Sequence, residues 1–170
     1  MKPLVKAAET LLILAIEMNL ASAEDTGLQT AGRILARMDS LVPALIMWIT
    51  VETGLKAPDP PQIIKVPAEQ LASMTGGTAN PQAIYKYEER TIYFPNNWTP
   101  ETLENKAILV HELAHHVIKM NNVQAPCERA LEAESYRLEF KWLSEQGIQD
   151  PYDFLQTNEL AILLRSACRD

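Results

Sequence analysis

The sequence predicts an α+β domain, helix-rich, with a small antiparallel or mixed sheet. Three observations carry that expectation. Two long stretches with helical apolar spacing fill much of the second half. Two β-rich runs around a polar turn stand just before them. A short β-rich run follows a proline linker further upstream. With 170 residues, 47% of them hydrophobic, the chain can build one domain with its own core.

The first element is ambiguous. MKPLVKAAET carries two lysines, LLILAI is apolar, and Ala21–Ala23 (ASA) has the small-x-small form of a signal-peptidase site. Together these predict a secretory signal over residues 1–23, with an amphipathic first helix as the alternative. Under the first reading the protein is periplasmic or secreted, under the second cytoplasmic. The apolar run is too short for a membrane span. Residues 24–170 then form a single domain. Cys127 and Cys168 belong to no CxxC pair, and a disulfide between them goes with export.

Thr30–Thr53 has apolar residues at Ile34, Leu35, Met38, Leu41, Leu45 and Trp48, a helical spacing that predicts one helix, or two broken near Pro43, stopped by Gly54. APDPPQ is a stiff linker. Ile63–Val66 reads as a strand, and the stretch from Pro67 as a short helix ended by Gly76 and Gly77. Ala83–Tyr87 and Thr91–Phe94 flank a polar turn and read as a hairpin. A long helix follows, with Thr99 as N-cap and Pro100 in the first turn, running to Met120 before two asparagines. A second long helix spans about Glu128 to Gln146, and the tail holds one more.

The net charge is −7 with no basic stripe, which excludes a nucleic-acid-binding face. The chemistry concentrates in ILVHELAHHVIKM, which holds all three histidines. His111 and His115 stand four apart, one turn apart on one helix face, so both imidazoles can bind one cation. Glu112 is rotated about 100° away and can reach a water on that cation without ligating it. Apolar residues surround this helix, and buried imidazoles and carboxylates are costly unless partnered. A metal supplies the partner. His116 points elsewhere and reads as structural or supporting.

A catalytic zinc takes three protein ligands and keeps one open position. No histidine follows His116, so the third ligand must be a carboxylate. The next helix offers Glu128, Glu132, Glu134 and Glu139. Leu131, Leu138 and Trp142 form one apolar ridge, Tyr136 and Leu143 another. Glu132 lies between them and turns inward. Glu134 falls with Arg137 and Lys141 on the solvated face. Glu128 and Glu139 also face inward, near the start of the helix and a turn or more beyond Glu132.

HELAH with a downstream glutamate helix resembles the gluzincins, zinc metallopeptidases whose third ligand is a Glu. There the ligand often heads an E-x-x-[SA]-x pattern, which reads here Glu132-Ala133-Glu134-Ser135-Tyr136. The chain is also similar, over roughly residues 40–168, to a family of small bacterial zincin-like proteins. WITVETGLKAP, RTIYFPNNW, LVHELAHH, the Cys–Glu–Tyr–Trp-Leu helix and the final Cys carry that likeness. The resemblance implies a zincin-like fold and zinc-dependent peptide hydrolysis. His111, His115 and Glu132 would bind one Zn²⁺, and Glu112 would be the general base. Tyr136 and His116 are candidates for oxyanion assistance. The strand Thr91–Phe94 would be an edge that pairs with extended peptide. Tyr136 stands where gluzincins often carry an aspartate, so the resemblance names no partner for the histidines. A catalytically silent zincin-fold binding or regulatory module is the alternative function.

Overall fold

The structure, a computed structural model, describes residues 38–75 and 81–168. Residues Ser40–Asp170 form one compact unit. The signal expected over residues 1–23, and the start of the domain at residue 24, lie outside the described residues.

The chain is helical from 38 to 53 (α1) and passes Pro43 without a break. Val42, Leu45, Ile46 and Ile49 face the core. Gly54, at φ 69°, closes the helix by donating its N–H to the Thr50 carbonyl (2.9 Å), a left-handed turn that a Cβ would strain. Strand β1 (Gln62–Val66) follows the proline linker, then helix α2 (Ala68–Ser73). Strands β2 (Ile84–Lys86) and β3 (Thr91–Pro95) form the expected hairpin.

The sheet order is β1-β3-β2, with β1 parallel and β2 antiparallel to β3. Strand β3 is therefore central, and the expectation that Thr91–Phe94 is an open edge is corrected. Both its edges are filled by ladder hydrogen bonds, and Thr91, Ile92 and Phe94 are buried. The edge strand on the hairpin side is β2.

Helix α3 (Leu103–Met120) is capped by Thr102, whose hydroxyl accepts from the Asn105 N–H at 3.2 Å. The cap is thus Thr102 rather than Thr99, whose carbonyl instead takes the Asn105 side chain at 2.6 Å. Helix α3 is buried on nearly every face, as its apolar sequence requires. It packs against β2 and against helix α4 (Leu131–Glu145), which is entered through a 3₁₀ turn over Glu128–Ala130. Gly147, at φ 91°, ends α4: its N–H reaches the Ser144 carbonyl and that of Ile148 the Leu143 carbonyl.

The tail holds two helices where one was expected, α5 (Pro151–Phe154) and α6 (Glu159–Ser166). Gln156 takes a left-handed φ of 50° between them, and Asn158 caps the second. A disulfide joins Cys127 to Cys168 and closes a loop of 41 residues. The fold is α+β with a small mixed sheet.

Candidate metal centre

Helices α3 and α4 form an antiparallel hairpin. Contacts that descend along one helix ascend along the other: Lys119 with Glu128, His115 with Glu132, His111 with Glu139. This register, set by the short connection between the helices, brings Glu132 opposite both histidines. Glu132 offers one oxygen to each: Oε2 lies 3.3 Å from His111 Nε2, and Oε1 lies 3.2 Å from His115 Nε2. The two Nε2 atoms are 3.2 Å apart. The ligand atoms of all three residues lie within 4.8 Å of one another.

The 3.2 Å between the two Nε2 atoms is the spacing of two ligands on one tetrahedral zinc ion, with the Glu132 carboxylate facing both. Ligands about 2.0–2.1 Å from one tetrahedral centre must stand about 3.3 Å from each other.

Burial of the other acidic residues separates their roles. Glu134 is exposed and makes a two-pronged pair with Arg137 at 2.7 and 2.8 Å, on the solvated face as expected. Glu128 does not turn inward: it sits on the 3₁₀ turn with its side chain 83% exposed and pairs with Lys119 at 2.6 Å. Glu139 is inward, its side chain 5% exposed, and its Oε2 lies 3.0 Å from His111 Nδ1. An ionised carboxylate only accepts, so this contact assigns the proton to Nδ1 and turns the Nε2 lone pair toward Glu132 and His115. Glu139 is thus the carboxylate partner of His111, two helical turns past Glu132.

The electrostatics agree. Burial lowers the His111 imidazole, yet Glu132 and Glu139 outweigh it and hold it well above its usual range. Burial raises the Glu132 carboxyl, and the two imidazoles more than reverse this, holding it well below the usual carboxylate range. Imidazole nitrogens and carboxylates thus converge on one point that favours positive charge, whether a proton or a metal ion supplies it.

Glu112 is buried next to this cluster. Burial pushes its carboxyl up, and His111 and His115 offset part of the rise. His111, Glu112, His115, Glu132 and Glu139 all line one open cleft of about 1080 Å³. Edge strand β2 lines the same cleft through Ile84, Tyr85 and Lys86.

His116 does not reach this cleft as an oxyanion donor. Its Nε2 lies 2.8 Å from the Asp59 carbonyl, which can only accept, so Nε2 carries the proton. Nδ1 then accepts from the Tyr85 hydroxyl at 2.9 Å. Both ring nitrogens are committed, and His116 pins β2 and the proline linker to α3. Burial lowers its pKa, and burial pushes the Tyr85 phenol up to about 12. Tyr136 packs its ring edge-on against His111, centroids 4.5 Å apart, and its hydroxyl meets Arg165.

Residues 35–170 match a family model described as "Domain of unknown function (DUF6647)". The chain belongs to this family. The match spans the whole centre, from β2 to the cysteine pair. No curated protein and no solved structure matches the chain.

Sequence reasoning overlooked Glu139 as the histidine partner because it sought a carboxylate four residues past Glu132. The signal was in the spacing: positions seven apart fall within about 20° on a helix.

Proposed function

We propose that this protein is a zinc-dependent metallopeptidase, a zincin-like hydrolase of the gluzincin kind. His111, His115 and Glu132 hold one Zn²⁺. The observation that carries this reading is the convergence of these three side chains, their ligand atoms within 4.8 Å of one another, with buried Glu112 beside them in an open cleft. When bound, the ion supplies a Lewis acid that acidifies a water and polarises a peptide carbonyl.

The chain's own residues do the rest. Glu139 holds the Nδ1 proton of His111 and so keeps its Nε2 free to ligate. Glu112, with its pKa raised by burial, accepts a proton from the attacking water and hands it to the leaving amine. Among the described residues strand β2 pairs only with β3, and it lines the cleft with its Tyr85 N–H turned to the Glu112 carboxylate, so an extended peptide would lie along it. The substrate is thus a peptide or protein segment in extended form. The Cys127–Cys168 disulfide supports an oxidising compartment, periplasmic or extracellular. Among the described residues no helix is long and apolar enough to cross a membrane.

The test is Glu112→Gln in the zinc-loaded protein, assayed on a peptide library. The variant keeps its zinc and loses hydrolysis by at least about 100-fold, the range for a general base. Unchanged cleavage would refute the mechanism. Cleavage absent in the parent, with zinc bound, would leave a metal-stabilised binding module instead.

A further inference from the structure

Six glutamates and three cations line the cleft, and the cations are not equivalent. Lys86 pairs with Glu89 at 3.7 Å, and Lys119 with Glu128 at 2.6 Å. Arg165 also lines the cleft. Its contacts there are with Tyr136: Nη1 donates to the hydroxyl, and the guanidinium carbon stands 5.8 Å from the ring centroid. Among the described residues it pairs with no carboxylate. Among the described residues most of its planar fork of donors has no acceptor, and that fork is the geometry that takes a carboxylate in two-pronged fashion.

Its place is built. Helix α6 has no fully buried residue, and Leu160, Leu163 and Leu164 are exposed. Core burial therefore does little to set where the helix lies. Polar and covalent ties do. Arg129 donates through Nε to the Arg165 carbonyl at 2.9 Å and through Nη2 to the Leu164 carbonyl at 2.6 Å. The Cys127–Cys168 bond fastens the same end of α6 to the turn that carries Arg129. Two independent anchors thus converge on the residues around Arg165. The ring of Tyr136 links Arg165 to His111, which places the guanidinium within roughly three residues of extended chain, at about 3.4 Å each, from the ligand cluster.

We propose that Arg165 is a specificity-determining residue of the cleft, receiving a substrate carboxylate roughly two or three residues from the bond that is cut. That carboxylate is an acidic side chain or a free C-terminus. The proposal rests on the peptidase reading, and its test is separable from it.

The probes are four fluorescein-labelled, alanine-rich hexapeptides, carrying Glu or Gln internally and ending in a free or an amidated C-terminus. Binding is followed by fluorescence anisotropy to the full zinc-loaded chain carrying Glu112→Gln, which excludes turnover. The same protein with Arg165→Gln or Arg165→Lys is compared, after zinc content and thermal unfolding show that each variant is folded. The expected result is roughly 10- to 100-fold tighter binding of the peptide with the carboxylate, the scale of a charge-assisted pair. That preference disappears in Arg165→Gln and returns in part in Arg165→Lys. A preference for Glu over Gln identifies a side chain as the source, and a preference for the free over the amidated end identifies the terminus. Equal binding of all four peptides, no binding of any, or a preference that survives Arg165→Gln overturns the proposal. Hydrolysis by the parent is scored separately. Carboxylate-selective binding without hydrolysis would sink the peptidase reading and leave Arg165 standing, and hydrolysis without selectivity would do the reverse.

Discussion

Replacing Glu139 with Gln isolates the contribution of a single buried charge to metal binding. The Glu139 carboxylate lies 3.0 Å from His111 Nδ1 with its side chain 5% exposed, so little solvent screens the pair. Gln keeps the shape and can still accept a hydrogen bond, but it carries no charge to raise the basicity of the ring. It can also turn its amide nitrogen toward the ring and favour the tautomer that cannot ligate through Nε2. Losing such a partner typically weakens metal binding 10- to 100-fold, about 1.4–2.7 kcal/mol. Glu139→Ala should lose more, because His111 is then also free to rotate. The assay is competition for Zn²⁺ against a chromophoric chelator, with thermal unfolding as a check on the fold. Glu134→Gln is the control. Its parent residue is an exposed partner of Arg137, worth at most about 1 kcal/mol to stability and nothing to the metal. Zinc affinity of Glu139→Gln within about twofold of the parent, against the 10- to 100-fold loss expected, would refute the role given to Glu139.

Three further outcomes follow from the same structure. Chelation should lower the unfolding midpoint, since at a free zinc concentration of about 100 Kd the bound ion contributes about 2.7 kcal/mol; an unchanged midpoint would mean that the ion does not bind the folded state selectively. His116 has a folded-state pKa below its usual 6.5, so the stability it contributes is present above that value and declines as pH falls below it. Urea denaturation at several pH values should show this acid-side decline flattened in His116→Gln, and identical slopes would contradict the neutral, doubly bonded ring. Cys168→Ser opens a loop of 41 residues and should cost up to about 4 kcal/mol by loop-closure entropy. Hydrogen exchange in α6 should rise while zinc is retained, and zinc loss in that variant would tie the disulfide to the centre itself.

The candidate triad was legible because both of its signals are periodic. Four-residue spacing put His111 and His115 on one face, and the apolar ridges of α4 singled out Glu132 from its exposed neighbour Glu134. Non-periodic features were not legible. A wheel gives the direction of Glu128 only if the helix already runs through it, and the 3₁₀ turn there swings the side chain to solvent. Strand order cannot be read from a hairpin signal: β3 became central because β1 pairs with it in parallel across α2 and the hairpin. Thr99 and Thr102 are both competent caps, and the structure selects the second, three residues before the Asn105 amide it caps. Nothing in QTN announces that Gln156 will adopt a left-handed conformation and split the tail into two helices. His116 needed tertiary contact with Asp59 and Tyr85, far away in sequence, to show why it is buried.

The most direct test of the central claim is elemental mass spectrometry of the purified protein beside Glu132→Ala and Glu134→Ala. The account predicts near-stoichiometric zinc in the parent and in Glu134→Ala, and its loss in Glu132→Ala. A parent that takes up no metal even after zinc loading, or a Glu132→Ala variant that keeps it fully, would contradict the account.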